Sequence, residues 1–380
     1  STLHNTLFPY TTLFRSSGID RLPVQRKSDG SGEFQGRTSG RQFSVQFPNE
    51  SSGCRETPQT LRELNDHIPF VSFCTSDLRL PMFDDILVAC DFSPASERAL
   101  AYAVDLVDRT GATLHLMHVQ EVALGPFVGG EPSPEAGQKD LLDQFRARCR
   151  ERLSALPHAP GDEQISYVVE RSGAVAPALV GAAEEEPMDL IVMGTHGRRG
   201  VQRVVSGSVA EEVLRTAPCP VLTVRAEEEE QELGPVSVEQ LVVPIDFSDP
   251  SREALGYAAR LTAVYEVPIA LVHVVQLPTL PSVYDAELSD LSTEEIEAQV
   301  REELKEWERT VASAAEVSVA VLNGDPVSAI LEAASTPEDL VVMATQGRSG
   351  LKRQVLGSVA EGVLRRAPGP VITGRTFPEP

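Results

Sequence analysis

A chain of 380 residues, 41% hydrophobic and 23% charged, has the length for two or three domains and a globular make-up, not that of a disordered or membrane-spanning protein. No run of about 18 apolar residues is present to span a bilayer, and the first residues lack the basic and apolar pattern of a secretory signal. The formal charge of −23 is uneven: residues 1–81 hold 9 Lys/Arg and 8 Asp/Glu against 24 and 48 in the remainder, a body that repels nucleic acid and anionic lipid.

Residues 1–81 are rich in Ser, Thr, Gly, Arg and Gln without a sustained period, and offer too little apolar surface to offset the entropy of ordering. The stretch Thr6–Ser16 (TLFPYTTLFRS) resembles a translated sequencing adapter. This segment is expected to be disordered or non-native, with at most a short helix near Leu61–Asp66.

Residues 82–225 alternate short apolar runs with amphipathic stretches. Ile86–Ala89 reads as a buried strand; Leu100, Ala103, Val104 and Val107 then fall at helical spacing, with Gly111 placed to end the helix. A strand over Leu114–Val119, a helix around Leu141–Leu153 and a strand over Ile165–Val169 follow. Then come a helix over Val175–Ala183, a strand over Leu190–Met193, a helix over Ser208–Thr216 and a strand over Pro220–Val224. Residues 226–238 form an acidic linker whose run Ala226–Gly234 (AEEEEQELG) reads as a solvated charge stretch.

The same order of blocks returns over residues 239–376. Asp84–Leu106 recurs as Glu239–Leu261, Leu114–Gln120 as Ile269–Gln276, Asp189–Gly200 as Asp339–Gly350, and Gly207–Arg225 as Gly357–Arg375. The chain is a duplicated domain. Near-continuous apolar strands joined by helices imply a parallel sheet covered on both faces, the doubly wound α/β class, with ligands outside the carboxyl ends of the strands.

The residues after the strands fit that placement. Gly194-Thr-His-Gly197, nine further residues and Gly207-Ser208 run from a strand end to a helix start. Gly194 and Gly197 lack Cβ, so the backbone can turn sharply and approach a ribose or phosphate. Gly207, Ser208 and Val209 open a helix whose free N–H groups make an anion site. Ser208-Val-Ala-Glu211 also fits a capping box that needs no ligand, and Ser358-Val-Ala-Glu361 repeats it. Asp91 fits both a ligand contact and a turn-former in Asp-Phe-Ser-Pro. His118 and His273 end matching strands and read as packed neighbours more readily than as bases. Arg198, Arg199 and Arg348 suit either phosphate pairing or plain solvation.

The pattern G-2x-G-9x-G-[ST] resembles the nucleotide signature of the ATP-binding branch of the universal stress protein family, and both repeats resemble that family over roughly residues 82–376. The resemblance implies two tandem Rossmann-like domains of five parallel strands, adenine nucleotide at the strand ends, and dimer formation through the last strand. Carried over position by position, Asp91 would contact the ribose or a bridging Mg2+, and Val119 would meet adenine through its backbone. Met193 and Gly194 would line the ribose, and Gly197, Gly207, Ser208 and Val209 would hold phosphates. In the second repeat, Asp246, Val274, Gly347, Gly357, Ser358 and Val359 match. Ala344 replaces the first glycine there; if that backbone is left-handed, a Cβ costs roughly 1–2 kcal/mol, about tenfold in affinity, and otherwise the methyl narrows the ribose contact. The first domain is therefore expected to be the better site.

The expected function is an ATP-binding, non-catalytic module of stress response or signalling. Its two domains would form an intramolecular pseudo-dimer, with a homodimer as a further possibility. A nucleotide-independent scaffold and a slow ATPase are the alternatives; no GxxxxGK[ST] loop, SGGxDS-like loop or paired acid–base set supports an enzyme. Five scattered cysteines (Cys54, Cys74, Cys90, Cys149, Cys219) show no metal or disulfide spacing and fit a reducing cytoplasm.

Overall fold

The computed structural model describes residues 82–122, 134–195, 208–225, 235–276, 293–347 and 356–378, with the backbone of four short strands between residues 20 and 47. It divides into two units, residues 1–78 and 79–380.

In the first unit, β3 (Gly32–Thr38) pairs antiparallel with β1 (Asp20–Arg21), β2 (Gln25–Arg26) and β4 (Arg41–Phe47). The sequence predicts no regular structure there. The strand signal it does carry is the alternation of Phe43, Val45 and Phe47 with Ser44 and Gln46 in β4, the period of two that a pleated strand requires. The helix expected near Leu61–Asp66 lies outside the described residues.

In the second unit the first repeat runs β5 (Asp85–Ala89), α1 (Pro94–Thr110), β6 (Thr113–Glu121), α2 (Pro134–Ser154), β7 (Ile165–Ser172), α3 (Val175–Glu185), β8 (Leu190–Gly194), α4 (Ser208–Thr216) and β9 (Val221–Val224). The second runs β10 (Gln240–Pro244), α5 (Asp249–Tyr265), β11 (Ile269–Val275), α6 (Thr293–Val311), β12 (Val317–Asn323), α7 (Pro326–Ala333), β13 (Asp339–Ala344), α8 (Ser358–Arg366) and β14 (Val371–Gly374). Every expected strand and helix of the first repeat is present.

Within each repeat all strands are parallel, in the orders β9-β8-β5-β6-β7 and β14-β13-β10-β11-β12. The winding therefore reverses between β5 and β8 and between β10 and β13, the switch points where such sheets take ligands. One apolar layer joins Leu100, Val104, Phe145, Leu153, Leu255 and Leu304 of α1, α2, α5 and α6. The opposite layer joins Leu179, Val213, Ile330 and Val363 of α3, α4, α7 and α8. With both faces covered, β5, β8, β10 and β13 carry almost unbroken apolar runs, such as Leu190-Ile-Val-Met193.

The repeats join into one ten-stranded sheet through antiparallel pairing of β14 with β9, Ile372 opposite Leu222. These two residues are equivalent in the two copies, so a local two-fold axis passes between them. The surroundings obey it. Arg225 donates to the carbonyl of Arg365 at the end of α8, and Arg375 donates to that of Arg215 at the end of α4, each cation facing the negative end of a helix. On the α1–α5 side, Phe83 meets Tyr257 edge-on at 6.4 Å, and the Arg109 guanidinium lies 5.1 Å from the Tyr265 ring centroid.

Helix ends show where sequence controls geometry. Gly111 closes α1 at φ 76°, its N–H donating to Val107, as its position predicts. At the matching place after α5 the left-handed residue is Glu266, φ 58°. A Cβ in that conformation costs roughly 1–2 kcal/mol, so Glu266→Gly is expected to raise stability by about 0.5–1 kcal/mol in urea unfolding. A decrease would mean that the Glu266 side chain contributes more than its backbone strain costs.

Candidate functional site

At the first switch point β5 ends and the chain enters Cys90-Asp-Phe-Ser93. The Cys90 N–H donates to Met117 O at 2.8 Å. The Asp91 carboxylate accepts the Ser93 N–H at 2.9 Å, the Asp91 N–H donates to Ser96 Oγ at 3.2 Å, and Ser93 Oγ accepts the Ser96 N–H as the N-cap of α1. Asp91 is thus a turn-former, with Pro94 starting the helix behind it. The second repeat repeats the device: Asp246 Oδ1 accepts from Ser248 N–H and Oγ–H at 3.1 and 2.5 Å, and Ser248 Oγ accepts the Ser251 N–H.

Between aspartate and serine, Phe92 and Phe247 adopt φ 59° and 62°. Bulky residues rarely occupy this left-handed region, and packing holds them there. Phe92 lies edge-on to Phe145 at 5.8 Å and under the Arg148 guanidinium at 3.9 Å. Phe247 lies edge-on to Trp307 at 5.6 Å. Sequence reasoning missed this strained pair; the identical Asp-Phe-Ser in both copies was the available signal.

His118 and His273 are packed neighbours: their Nδ1 atoms donate to Cys90 O at 2.7 Å and Ile245 O at 2.6 Å, and each ring lies beside its phenylalanine. A carbonyl can only accept, so Nδ1 carries a proton in both rings. The histidines therefore brace the loop carrying the aspartate.

The other motif arm follows β8 and β13. Val119 and Val274 stand half-buried at the ends of β6 and β11. Met193 is buried in the layer beneath α3 and α4, so only its backbone can face a ligand. Gly194 has no left-handed backbone, and neither has Ala344. Its glycine is required by packing instead: a Cβ would stand 2.7 Å from the carbonyl carbon and Cβ of Ala95 and 2.8 Å from Ser96 N in the first turn of α1. The left-handed cost anticipated for Ala344 therefore does not arise. The hydrogen at position 194 points at a helix, and Ala344 packs against the layer on that same face.

In the second repeat the structure brings three predicted residues together. A Cβ on Gly347 would lie 2.3 Å from Asp246 Oδ2, so the first-strand carboxylate sits directly against the glycine loop. Gly357 donates its N–H to Thr345 O at 2.8 Å, and Thr345 N–H donates to Gly374 O at 2.9 Å. Thr345, which sequence reasoning passed over, ties the loop and the helix start to the end of β14. Its equivalent Thr195 donates to Val224 O at 3.0 Å. The threonine common to both copies of the motif (Gly-Thr-His-Gly and Ala-Thr-Gln-Gly) marked it.

The capping-box expectation fails for Ser358. The N-cap of α8 is Gly357, with φ −65° and ψ 144° and no side-chain cap bond, and Glu361 pairs with Arg365 instead. Ser358 is the first helical residue and is exposed, as is Ser208 at the start of α4. Val209 and Val359 are half-buried behind them. Gly197, Gly207, Arg198, Arg199 and Arg348 lie outside the described residues. Among the described residues no group of three His, Cys, Asp or Glu is arranged to hold a metal, and no helix is long and apolar enough to cross a membrane.

Comparison with known proteins agrees with this arrangement. The model of the Universal stress protein family matches residues 82–225 and again 238–374. A universal stress protein of Thermus aquaticus is 37% identical over 144 residues, 38% of this chain and 100% of its own length. A universal stress protein of Mycobacterium tuberculosis is 27% identical over 306 residues, 76% of this chain and 96% of its own. The crystal structure of a universal stress protein from Archaeoglobus fulgidus superimposes with a TM-score of 0.51 at 20% identity, covering 78% of this chain and 98% of that one, which fixes the fold. With two matched repeats, each a five-stranded doubly wound sheet, the chain belongs to the universal stress protein family.

Proposed function

We propose that this protein is an adenine-nucleotide sensor of the stress response in the cytoplasm, binding ATP at one or both switch points without turning it over. The observation that carries the reading is the helix start at Gly357-Ser358. A nine-residue helix presents an exposed serine and an N-cap with no side-chain bond, beside the Asp246–Gly347 contact at the carboxyl ends of the strands. Unsatisfied N–H groups at the positive end of a helix suit a phosphate. Asp246 and Asp91 would take the ribose or a Mg2+ arriving with the nucleotide. The Val274 and Val119 backbones would take adenine, and the α8 and α4 starts, with Gly347 and Gly197, the phosphates.

In this reading His118 and His273 keep the role of bracing the aspartate loop, each donating its Nδ1–H to a carbonyl. The β9–β14 pairing within one chain serves as the dimer contact, an intramolecular pseudo-dimer, and leaves association of two chains to other surfaces. Calorimetric titration of the full chain with ATP and Mg2+ tests the reading. Saturable binding at one or two sites per chain with no phosphate release is expected. Absence of both heat and thermal stabilisation at millimolar ATP would establish the scaffold reading, and steady phosphate release the ATPase.

A further inference from the structure

Away from the strand ends, α1 turns part of its outer face to a cleft that neither candidate site uses. The cleft holds about 250 Å3 and is walled by α1, by the turn after α2 at Leu156-Pro-His158, and by Pro235 and Val236, which lead into β10. Its floor is hydrocarbon: Val104 and Leu156 are buried, and Val236 is half-buried against the same layer. Asp105 and Asp108 stand at its rim, three residues apart on α1 and so on one helix face. The duplicated fold does not require them. The positions 155 residues downstream, on α5, are Arg260 and Ala263, so this pair of carboxylates belongs to the first repeat alone.

Bonding within the protein decides the sign of a ligand. The Arg109 guanidinium in the lining is committed: Nε donates to Asp105 Oδ2 at 2.9 Å, Nη1 donates to Val264 O at 3.4 Å, and the group lies over the Tyr265 ring. Asp108 is held less. Its Oδ2 stands 3.9 Å from His158 Nδ1, beyond hydrogen-bond reach, so it can accept from a donor in the cleft. We infer that this cleft binds a small organic cation, a protonated amine on a compact hydrocarbon body. The ammonium donates to Asp108 in a charge-assisted bond, and the body lies over Val104, Leu156 and Val236. An apolar floor with a few fixed polar groups is the usual form of a small-molecule site. An apolar cavity of about 150 Å3 admits benzene, so this cleft takes a ligand of roughly ten non-hydrogen atoms. The acidic body of residues 82–380 raises the local concentration of cations.

The test uses the full chain with isotope-labelled Val and Leu methyl groups, followed by NMR as cyclohexylmethylamine is added. Cyclohexylmethanol, the same shape without the charge, and ammonium chloride, the charge without the body, are the controls. Saturable shifts of the Val104, Leu156 and Val236 methyls are expected with the amine, weaker ones with the alcohol at equal concentration, and none with ammonium. Asp108→Asn, at an exposed position, should weaken amine binding about tenfold through loss of the charged partner and leave the alcohol unchanged. The remaining methyl resonances of the variant report that it is folded. Absence of any saturable shift, shifts spread over the acidic surface instead of these three residues, equal affinity for amine and alcohol, or full amine affinity in Asp108→Asn overturns the inference. No nucleotide enters the measurement, so its outcome is separate from that of the ATP titration.

Discussion

Gly194→Ala is expected to destabilise the protein by about 1–3 kcal/mol, the range for forcing an extra methyl into a filled site. The added carbon would stand 2.7 Å from Ala95 backbone and 2.8 Å from Ser96 N. Neither is the end of a flexible side chain, so the first turn of α1 must move off the sheet. That turn holds the Ser93–Ser96 cap and the bond from Asp91 N–H to Ser96 Oγ, so the damage reaches the site as well as the core. Urea unfolding at neutral pH reads the stability, with ATP titration of the folded variant beside it. A loss below about 0.5 kcal/mol would show that α1 yields at little cost. The reverse change in the second repeat, Ala344→Gly, removes a methyl that packs against the apolar layer. It is expected to cost stability there without improving nucleotide affinity, since the methyl faces the helix layer.

Ser358→Asp is expected to separate folding from binding. A carboxylate in the first turn of α8 meets the positive end of the helix, a gain of about 0.3–1 kcal/mol. The same negative charge stands where the proposed site would receive phosphate, and affinity there should fall roughly 10–100-fold, the equivalent of about 1.4–2.8 kcal/mol. Ser208→Asp makes the same comparison at α4. A variant at least as stable as the parent that has lost one of its binding events identifies the helix start as the anion site and assigns that event to a repeat. Unchanged ATP affinity in both single variants and in the double variant would remove the helix starts from the site.

The fold was legible because strand and helix periods differ and because the chain says everything twice. Ile86–Ala89 and Leu190–Met193 have no polar residue and read as doubly covered strands, and Gly111 marked a helix end correctly. The placement of the candidate residues was legible, since Asp91 follows β5, Gly194 ends β8 and Ser208 starts α4. What sequence alone missed was the purpose of individual atoms. Gly194 read as a ligand cradle, and the structure adds a packing reason for the glycine, a close approach of strand to helix. Gly357 is held so near Thr345 O that a Cβ would be 3.1 Å away. Ser358-Val-Ala-Glu361 matched a capping box by letter spacing, but the helix begins one residue earlier than that motif needs. Phe92 and Phe247 could not be placed in the left-handed region from composition, because long-range packing on Phe145 and Trp307, not local preference, holds them there.

Pairing β9 with β14 in opposite directions has a geometric result for whatever this protein signals. Every strand of one repeat then points against every strand of the other, so their carboxyl ends emerge from opposite rims of a single slab. A ligand seated on one rim cannot touch its counterpart, and a small partner protein docking on either rim reads one repeat alone. Any cross-talk between the two must run through the seam: the paired backbone at Leu222 and Ile372, the arginines that cross it, or the apolar layer in which Phe83 meets Tyr257.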